Sequence, residues 1–301
     1  MNLSVEQLRP GREDRIGRFA DYLELTKPRV TALILMSTLV GFYLGSQEHM
    51  SLSLLLHTLL GTALVASGTA ALNQFWERVG DGKMLRTRDR PLPAGRMHPA
   101  KALLFGCLLS LVGISYLYWQ VNLLTSVLAG LTLGSYLFLY TPLKTRTSLC
   151  TLVGAFPGAL PPVIGWVAAR GEITLAAAIL YLMLFLWQFP HFLSIAWLYR
   201  EDYARGGIRM LPVVEPEGVS TGRQMMIFCA ALLPVSLAPS ALGLAGPVYL
   251  VGALVLGAAF FHYAVRAAVV KSKMQARRLL QASVIYLPLV YGLLMLDKVG
   301  S

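Results

Sequence analysis

The sequence predicts an all-α, polytopic membrane protein whose nine transmembrane helices form two four-helix halves plus one further helix. Two observations predict this class. The 301-residue chain is 56% hydrophobic and only 14% charged, with a mean hydropathy of +0.61, whereas soluble domains carry about 25% charged residues. Its apolar runs are also continuous and lack the period-two alternation of a transmembrane β-barrel. A soluble domain and a β-barrel are therefore excluded.

Stretches without a charged side chain are long enough to cross a bilayer, which takes about 20 apolar residues. The third and sixth of them are about twice the length of one crossing, so each predicts a helical hairpin. The breaks are expected at residues 120–122 and between Gly243 and Pro247. Single helices and hairpins together make nine helices. The uncharged stretches are 30–47, 49–76, 102–143, 147–169, 173–199, 224–265 and 279–296.

Positive residues mark the cytoplasmic side of a membrane protein, and here their distribution is one-sided. All but two of the 26 lysines and arginines, Arg170 and Lys298, lie in the N-terminal segment or in alternate loops. The N-terminus is therefore expected in the cytoplasm and the C-terminus outside. Residues 1–29 form a cytoplasmic segment that resembles neither a signal peptide nor a transit peptide, which favours a bacterial inner membrane. Residues 30–297 form a single transmembrane domain.

The cytoplasmic end of the second helix carries one amide and two carboxylates at a four-residue spacing. Asn73, Glu77 and Asp81 would share one helix face. Polar groups cost about 2.5–3.5 kcal/mol near the centre of a membrane helix, so they are functional candidates. Mg²⁺ prefers oxygen ligands and is commonly held by one or two carboxylates together with substrate phosphates. With Arg86 and Arg90 following, this strip predicts a site for a magnesium-bridged phosphate ester.

A simpler alternative exists for the same two carboxylates. Glu77 and Asp81 could form only local ion pairs at the membrane interface, with Arg78 and Lys83 as their partners. The four-residue spacing alone does not choose between a metal site and such pairs.

Two further cytoplasmic loops carry related side chains. Asp202 and Tyr203 follow the sixth helix, and Tyr140 and Lys144 lie four residues apart at the end of the fourth. Acidic-then-basic loops thus recur at equivalent points of two four-helix halves, which is a weak internal repeat. Facing acidic clusters at the mouth of one bundle can hold metal ions, and Lys144 would then suit a phosphate, although a lone lysine is often a snorkelling charge.

His191 lies within an apolar span, before Asp202. On one ideal, continuous helix it would lie about 16 Å deeper on nearly the same face, so both side chains would line one cavity unless Pro190 kinks the helix. A lone histidine in an apolar span is more often a packing residue. Here the flanking Trp187 and Phe192 favour a flat aromatic ligand.

Together these motifs resemble the UbiA-type intramembrane prenyltransferases, and within them the branch that acts on haem. The family signature, Asn-x-x-x-Asp-x-x-x-Asp, corresponds to Asn73, Glu77 and Asp81. The resemblance covers roughly residues 25 to 297. The matching blocks are residues 73–92, 140–144, 158–166, 190–192, 202–203 and 207–214.

The resemblance implies transfer of the farnesyl group of farnesyl diphosphate to a vinyl group of protohaem IX (haem B). Water adds in the same reaction, which gives haem O and diphosphate for the biogenesis of haem-copper oxidases. It implies magnesium held by the catalytic residues Asn73, Glu77, Asp81 and Asp202. The implied substrate-binding residues are Arg86, Arg90, Tyr140, Lys144, His191 and Tyr203. Aromatic faces are expected to shelter the farnesyl cation, with Phe75, Trp76 and Tyr140 as candidates.

The same resemblance defines the expected partners. Farnesyl diphosphate and haem B are substrates, haem B not being a cofactor, and both partition into the lipid bilayer. A downstream haem A synthase or an oxidase assembly factor is a further candidate partner, and no nucleic-acid partner is expected. Val79 stands where the haem branch usually has an Asp, so the number of magnesium ions stays open. Asp202 lacks the second Asp, four residues away, of other UbiA-type enzymes, which favours the haem branch.

Three alternatives remain. Another UbiA-type enzyme, prenylating a quinone precursor or a tetrapyrrole-derived alcohol, would carry the full Asp pair after the sixth helix and lack the Pro-His-Phe block. A transporter of an anionic lipid or metabolite would place polar residues through the membrane midplane, whereas the outward half here is almost uncharged. A non-catalytic scaffold subunit would be insensitive to neutralisation of Glu77 and Asp81.

Overall fold

The computed structural model describes residues 12–47 and 49–299, so residues 1–11 of the expected cytoplasmic segment lie outside the description. Within the described part, nine helices or helical runs are long and apolar enough to cross a membrane, which confirms the predicted all-α class. A π-helical segment, Ser135–Tyr140, joins α5 to α6. The helices are α1 (Arg12–Leu25), α2 (Pro28–Gly45), α3 (Leu52–Asp81), α4 (Pro99–Gln120), α5 (Leu123–Gly134), α6 (Thr141–Leu143), α7 (Cys150–Gly158), α8 (Pro161–Arg170), α9 (Leu175–Leu198), α10 (Arg200–Arg205), α11 (Leu211–Val214), α12 (Val219–Ala241), α13 (Pro247–Val270) and α14 (Lys273–Leu296).

Both predicted hairpin breaks are confirmed. Helix α4 ends at Gln120, and Asn122 caps α5 by accepting a hydrogen bond of 2.8 Å from the backbone N–H of Thr125, which satisfies one of the free donors of the first turn. Helix α12 ends at Ala241 and α13 begins at Pro247. Proline suits a first helical position because its missing N–H would have no partner there.

Two membrane crossings consist of more than one helix. The fourth runs through α5, the π-helical segment and α6, and the fifth through α7 and α8. The first crossing, α2, packs closely on α8 because both present glycine at the contact. A Cβ atom on Gly165 would lie 1.9 Å from the carbonyl oxygen of Thr38, and one on Gly41 equally close to that of Pro162. Small residues of this kind let membrane helices approach each other.

Lys298, which follows the last membrane helix, holds two membrane helices together on the side opposite the basic loops. The Lys298 amine donates hydrogen bonds to the carbonyl oxygens of Tyr43, at 3.0 Å, and Ser46, at 2.6 Å. These carbonyls lie at the end of α2, where a helix leaves its last acceptors free. The first and last membrane helices are thereby joined.

The sequence does not predict α1, because charged and apolar residues alternate there without an apolar run. In the structure α1 packs against α3, the helix that carries Asn73, Glu77 and Asp81. The carbonyl oxygen of Leu25 accepts a hydrogen bond of 2.9 Å from the Gln74 amide. Arg96 forms ion pairs with Asp21 at 2.8 Å and Glu24 at 2.9 Å. These contacts fix the segment that leads into α2.

Candidate active site

The predicted strip of oxygen donors lies on the last turns of α3. Helix α3 continues without a break to Asp81, so Asn73, Glu77 and Asp81 do share one face. Asn73 and Asp81 are each only 1% exposed. Each of the three side chains accepts a hydrogen bond from a lysine or an arginine. The pairs are Lys27 Nζ to Asn73 Oδ1 at 2.9 Å, Lys144 Nζ to Glu77 Oε1 at 2.7 Å and Arg90 Nη1 to Asp81 Oδ2 at 2.7 Å.

The local ion pairs that formed the simpler alternative are not among the salt bridges of the described residues. Arg78 donates instead to the carbonyl oxygen of Phe75, at 2.6 Å, and its guanidinium lies over the ring of that residue, 4.5 Å from the centroid. The cations that do pair with the carboxylates come from other loops. The strip is therefore a point of convergence for distant segments of the chain.

The π-helical segment before α6 sets the position of Lys144. The Lys144 amine lies 4.4 Å from the ring centroid of Tyr140 and 6.0 Å from that of Tyr136. Insertions of this type are frequent at functional sites, since they turn side chains that a regular helix would direct elsewhere. Burial lowers the pKa of Lys144, but the neighbouring Glu77 carboxylate outweighs burial and holds the pKa well above its usual value. Lys144 is therefore a cation at neutral pH.

The structure places Lys27 in the site. From the sequence alone, Lys27 is only one of the positive charges that set the orientation of the chain in the membrane. Its backbone is left-handed, with φ 47°, directly before Pro28. Its amine donates to Asn73, and burial, followed by the charge of Arg90, lowers the pKa of Lys27 to about 8. A lysine that introduces the first membrane helix is the available signal in the sequence, and it is a weak one.

Asp202 fastens the loop of residues 82–98 onto α10. Its carboxylate accepts backbone hydrogen bonds from Leu85, at 2.8 Å, and Arg86, at 3.1 Å, and pairs with Arg205 at 2.6 Å. Burial raises the pKa of Asp202, but the hydrogen bonds from Arg205 and the two backbone amides lower it more, so the pKa lies below its usual value. Both oxygens are engaged, and a role for Asp202 as a metal ligand stays a prediction.

The three loops expected to carry the site do meet. The backbone N–H of Arg209 donates to the carbonyl oxygen of Lys144 at 2.7 Å. The guanidinium of Arg86 lies over two rings, 5.2 Å from the centroid of Tyr199 and 5.7 Å from that of Tyr203. Arg86 has no ion pair to a carboxylate among the described residues, so it remains available to an anionic ligand.

The donor set of the strip fits a magnesium ion. It consists of oxygen atoms only, as Mg²⁺ requires, and it leaves room in the coordination sphere for water and substrate phosphates. One oxygen of each side chain faces a positive group, which shows that this negatively charged part of the chain attracts cations. No cluster of three or more His, Cys, Asp or Glu side chains that could hold a metal occurs among the described residues. The fit rests on the amide of Asn73 together with Glu77 and Asp81.

Two of the three rings expected to shelter a carbocation lie elsewhere. Trp76 is 48% exposed on the exterior of the helix bundle and packs on Phe138, with 6.2 Å between the ring centroids. Phe75 packs with the cluster between α1, α3 and α4. The prediction is therefore wrong for both, because residues adjacent to the strip point away from its face. The rings beside the strip belong to Tyr140, as predicted, and to Tyr136, for which the sequence made no prediction.

His191 and Asp202 do not share a helix. The chain leaves helical geometry at Tyr199, with φ −111° and ψ 24°, so the ideal-helix estimate of their relative positions is wrong. His191 is half-buried, and its Nδ1 lies 2.8 Å from the Oγ of Ser283 in α14. The expected aromatic surroundings are present, because Trp187 stacks on the imidazole with 4.5 Å between ring centroids.

Comparison with known protein sequences gives consistent matches. Residues 34–287 match the UbiA prenyltransferase family. A protoheme IX farnesyltransferase of Solibacter usitatus (strain Ellin6076) is 55% identical over 289 residues, which cover 93% of this chain and 99% of the relative. Proteins of the same name from Koribacter versatilis (strain Ellin345) and Salinibacter ruber (strain DSM 13855 / M31) are 48% and 46% identical, over 92% of this chain in both cases and 93% and 98% of the relatives.

Solved structures share the fold. A structure of digeranylgeranylglyceryl phosphate synthase superposes with a TM-score of 0.79 at 17% identity, covering 93% of this chain and 98% of the other. A UbiA homologue from Archaeoglobus fulgidus, solved bound to GPP and Mg²⁺, has a TM-score of 0.64 at 16% identity over 91% of this chain and 99% of its own. At such identities the likeness concerns the fold alone. The family match and the close relatives show that this chain is a multi-pass membrane protein that belongs to the UbiA prenyltransferase family.

Proposed function

We propose that this chain transfers the farnesyl group of farnesyl diphosphate to a vinyl group of protohaem IX, giving haem O and diphosphate. Relatives 46–55% identical over more than nine-tenths of the chain carry the corresponding name. The observation that carries the proposal is the strip on α3, where Asn73, Glu77 and Asp81 each face a cation. Alternating oxygen ligands and cations suit a diphosphate group and its metal.

In this proposal the allylic carbon–oxygen bond of the donor breaks, and its electron pair leaves with the diphosphate. The farnesyl carbon then forms a bond to the vinyl group. Water supplies a hydroxyl to the remaining cationic carbon and releases a proton. The amine and guanidinium groups of Lys27, Lys144 and Arg90 supply hydrogen-bond donors to the leaving phosphate oxygens, and such prearranged donors stabilise charge as it develops.

A magnesium ion would be held by Asn73, Glu77 and Asp81, with Asp202 as a further ligand, and when bound would neutralise the charge on the leaving group. The chain supplies the rest. Asp202 holds the loop that carries Arg86 and Arg90 in place through backbone hydrogen bonds. The ring of Tyr140 lies beside the Lys144 amine, and an aromatic ring can stabilise a carbocation.

Substrate binding is assigned to the side chains around this strip. Arg86, free of carboxylate partners in the described structure, suits a phosphate or a carboxylate of a substrate. Tyr203 lies beside Arg86, and burial raises the pKa of its phenol, which keeps it neutral as a hydrogen-bonding group. His191 is assigned to the haem. Farnesyl diphosphate and haem B would both enter from the bilayer.

The proposed location is a bacterial inner membrane, with the N-terminus and the active site facing the cytoplasm. The basic loops support this orientation, since positive residues are retained on the cytoplasmic side. A haem A synthase or an oxidase assembly factor would then receive the product.

The test is mass spectrometry of haems extracted from the membranes of a host that lacks haem O and expresses this chain. We expect a new haem with the mass gain of one farnesyl group and one hydroxyl group, which together turn the vinyl group into a hydroxyethylfarnesyl side chain. Unchanged haem B in membranes that contain the inserted protein would contradict the proposal. A prenylated quinone precursor in the same extracts would favour the alternative UbiA-type activity.

A further inference from the structure

We propose that Ser283 and Trp187 are positioning residues that hold His191 with its proton on Nδ1, so that Nε2 offers its lone pair to the haem iron of the acceptor substrate. The inference rests on the proposed function, because it names how the acceptor is held. It concerns a cluster between α9 and α14 that lies outside the strip on α3.

The hydrogen bonds of Ser283 favour one of the two imidazole nitrogens as the carrier of the proton. A serine hydroxyl has one proton to donate. The Ser283 hydroxyl donates to the carbonyl oxygen of Leu280, at 2.6 Å. Its oxygen also lies 2.8 Å from Nδ1 of His191, and while the hydroxyl proton is directed at the Leu280 carbonyl, that oxygen can only accept from Nδ1. His191 therefore donates from Nδ1, and its Nε2 is unprotonated in the neutral ring. Ser283 is completely buried, so bulk water does not compete for this contact.

Trp187 fixes the plane of the same imidazole. Its indole N–H donates to the backbone carbonyl oxygen of Ser283 at 2.9 Å. Its ring stacks on His191 with 4.5 Å between centroids and 20° between planes. One residue of α14 thus anchors both the tryptophan and the histidine, the first through its carbonyl and the second through its hydroxyl. The direction of Nε2 is set by the stacking on Trp187 and the hydrogen bond to Ser283.

The free nitrogen is what distinguishes this histidine from a packing residue. No hydrogen bond to Nε2 of His191 occurs within residues 12–47 and 49–299. The side chain is only partly buried, so a ligand can reach it. Metal-binding histidines usually donate their other N–H to a partner that fixes tautomer and orientation. Ser283 has the position of such a partner.

The first experiment measures the tautomer in full-length, haem-free protein with ¹⁵N-labelled histidine, in lipid nanodiscs. His191 is assigned by the signal that disappears in His191→Gln. We expect a directly bonded proton on Nδ1 and none on Nε2. A proton on Nε2 would overturn the inference, since Ser283 would then be the donor and no lone pair would be available.

The second experiment titrates ferric haem B into the same protein and follows histidine ligation by electron paramagnetic resonance and optical absorption. We expect a histidine-ligated signal that is lost in His191→Ala and retained in the control His57→Gln, whose ring bonds to Tyr116 instead. Ser283→Ala should bind haem about 10- to 100-fold more weakly. Ser283→Thr, which keeps the hydroxyl, should restore binding.

The outcomes separate this inference from the proposed function. If Ser283→Ala binds haem as the unchanged protein does, or if His191→Ala leaves the spectrum unaltered, the positioning role is refuted even where haem O is still formed. If the ligation signal behaves as expected but no haem O appears in membranes, the haem site stands and the proposed farnesyl transfer fails.

Discussion

The amine of Lys144 lies 2.7 Å from a carboxylate oxygen of Glu77, although 67 residues separate the two in the sequence. The contact joins the end of the second membrane helix to that of the fourth. Both side chains are mostly buried, with exposed fractions of 14% for Lys144 and 18% for Glu77. In the proposed reaction, one partner binds the metal and the other the leaving group.

Changing either partner alone should therefore affect stability and activity together. Glu77→Gln or Lys144→Met leaves one buried charge without its partner, which costs about 3–5 kcal/mol in comparable buried pairs. We expect a lower melting temperature in detergent and loss of haem O formation for each single variant, measured by thermal unfolding and by haem mass spectrometry.

The double variant Glu77→Gln, Lys144→Met separates the two roles. With both charges removed no uncompensated charge remains, so the melting temperature should return towards that of the unchanged protein. Haem O formation should stay absent, since both proposed contacts to the metal and the diphosphate are missing. Recovery of activity in the double variant would show that the pair serves only the fold.

Asp81 provides a test that is specific for the strip. Asp81→Asn keeps the size of the side chain but removes the charge that faces Arg90. We expect haem O formation to fall at least about 100-fold, a range in which single charge-stabilising groups act, with normal insertion into the membrane. The matched control is Asp89→Asn, because the Asp89 side chain is 86% exposed and lies in the loop that follows Asp81. Equal activity of Asp81→Asn and Asp89→Asn would contradict the metal role.

The fold was largely predictable, because hydrophobic length and the distribution of lysine and arginine depend on composition along the chain. The hairpin breaks at Asn122 and Pro247 follow from local cap chemistry. The strip on α3 was likewise predictable, since a four-residue spacing places Glu77 one turn after Asn73 whatever surrounds it. These properties are local, and the structure agrees with them.

What the sequence could not predict depends on contacts between distant segments. The pairing of Asp81 with Arg90 rather than Lys83 requires the fold of the following loop. The position of Asp202 could not be extrapolated from His191, because the helix between them breaks at Tyr199. Lys27 joins the site only because α1 docks beside α3. Helical periodicity contains no information on any of these.

Asp202 should make the loop of residues 82–98 sensitive to acid. Its folded pKa lies below its usual value because Arg205 and two backbone amides bind the carboxylate. The stabilisation is therefore fully present above the unfolded pKa of about 3.9 and is lost as the pH falls through the lower folded pKa. Hydrogen exchange at the amides of Leu85 and Arg86 should show protection in the unchanged protein that declines below about pH 4 beyond the intrinsic effect of acid.

Removing the charge of Asp202 should abolish that dependence. In Asp202→Asn, protection of the two amides should already be about tenfold lower at neutral pH, since hydrogen bonds to charged groups contribute about 1.5–3 kcal/mol. Glu201→Gln serves as the control, because Glu201 is exposed and pairs with Lys273 rather than with the loop. Unchanged protection in Asp202→Asn would mean that other contacts hold the loop.

Lys27 allows the contribution of a single amine to be separated from that of the backbone. Its left-handed conformation, with φ 47°, costs a non-glycine residue about 1–2 kcal/mol. Lys27→Gly removes this strain and the amine together, so the melting temperature should stay close to that of the unchanged protein. The KM for farnesyl diphosphate should rise at least about tenfold, which is the loss of about 1.4 kcal/mol and within the range for one hydrogen bond to a charged group.

Lys271→Gly is the matched control, because Lys271 is the other described lysine with positive φ, at 51°, and it lies after α13 outside the site. An equal KM in Lys27→Gly and Lys271→Gly would exclude the Lys27 amine from donor binding, whereas a rise confined to Lys27→Gly would place that amine on the diphosphate.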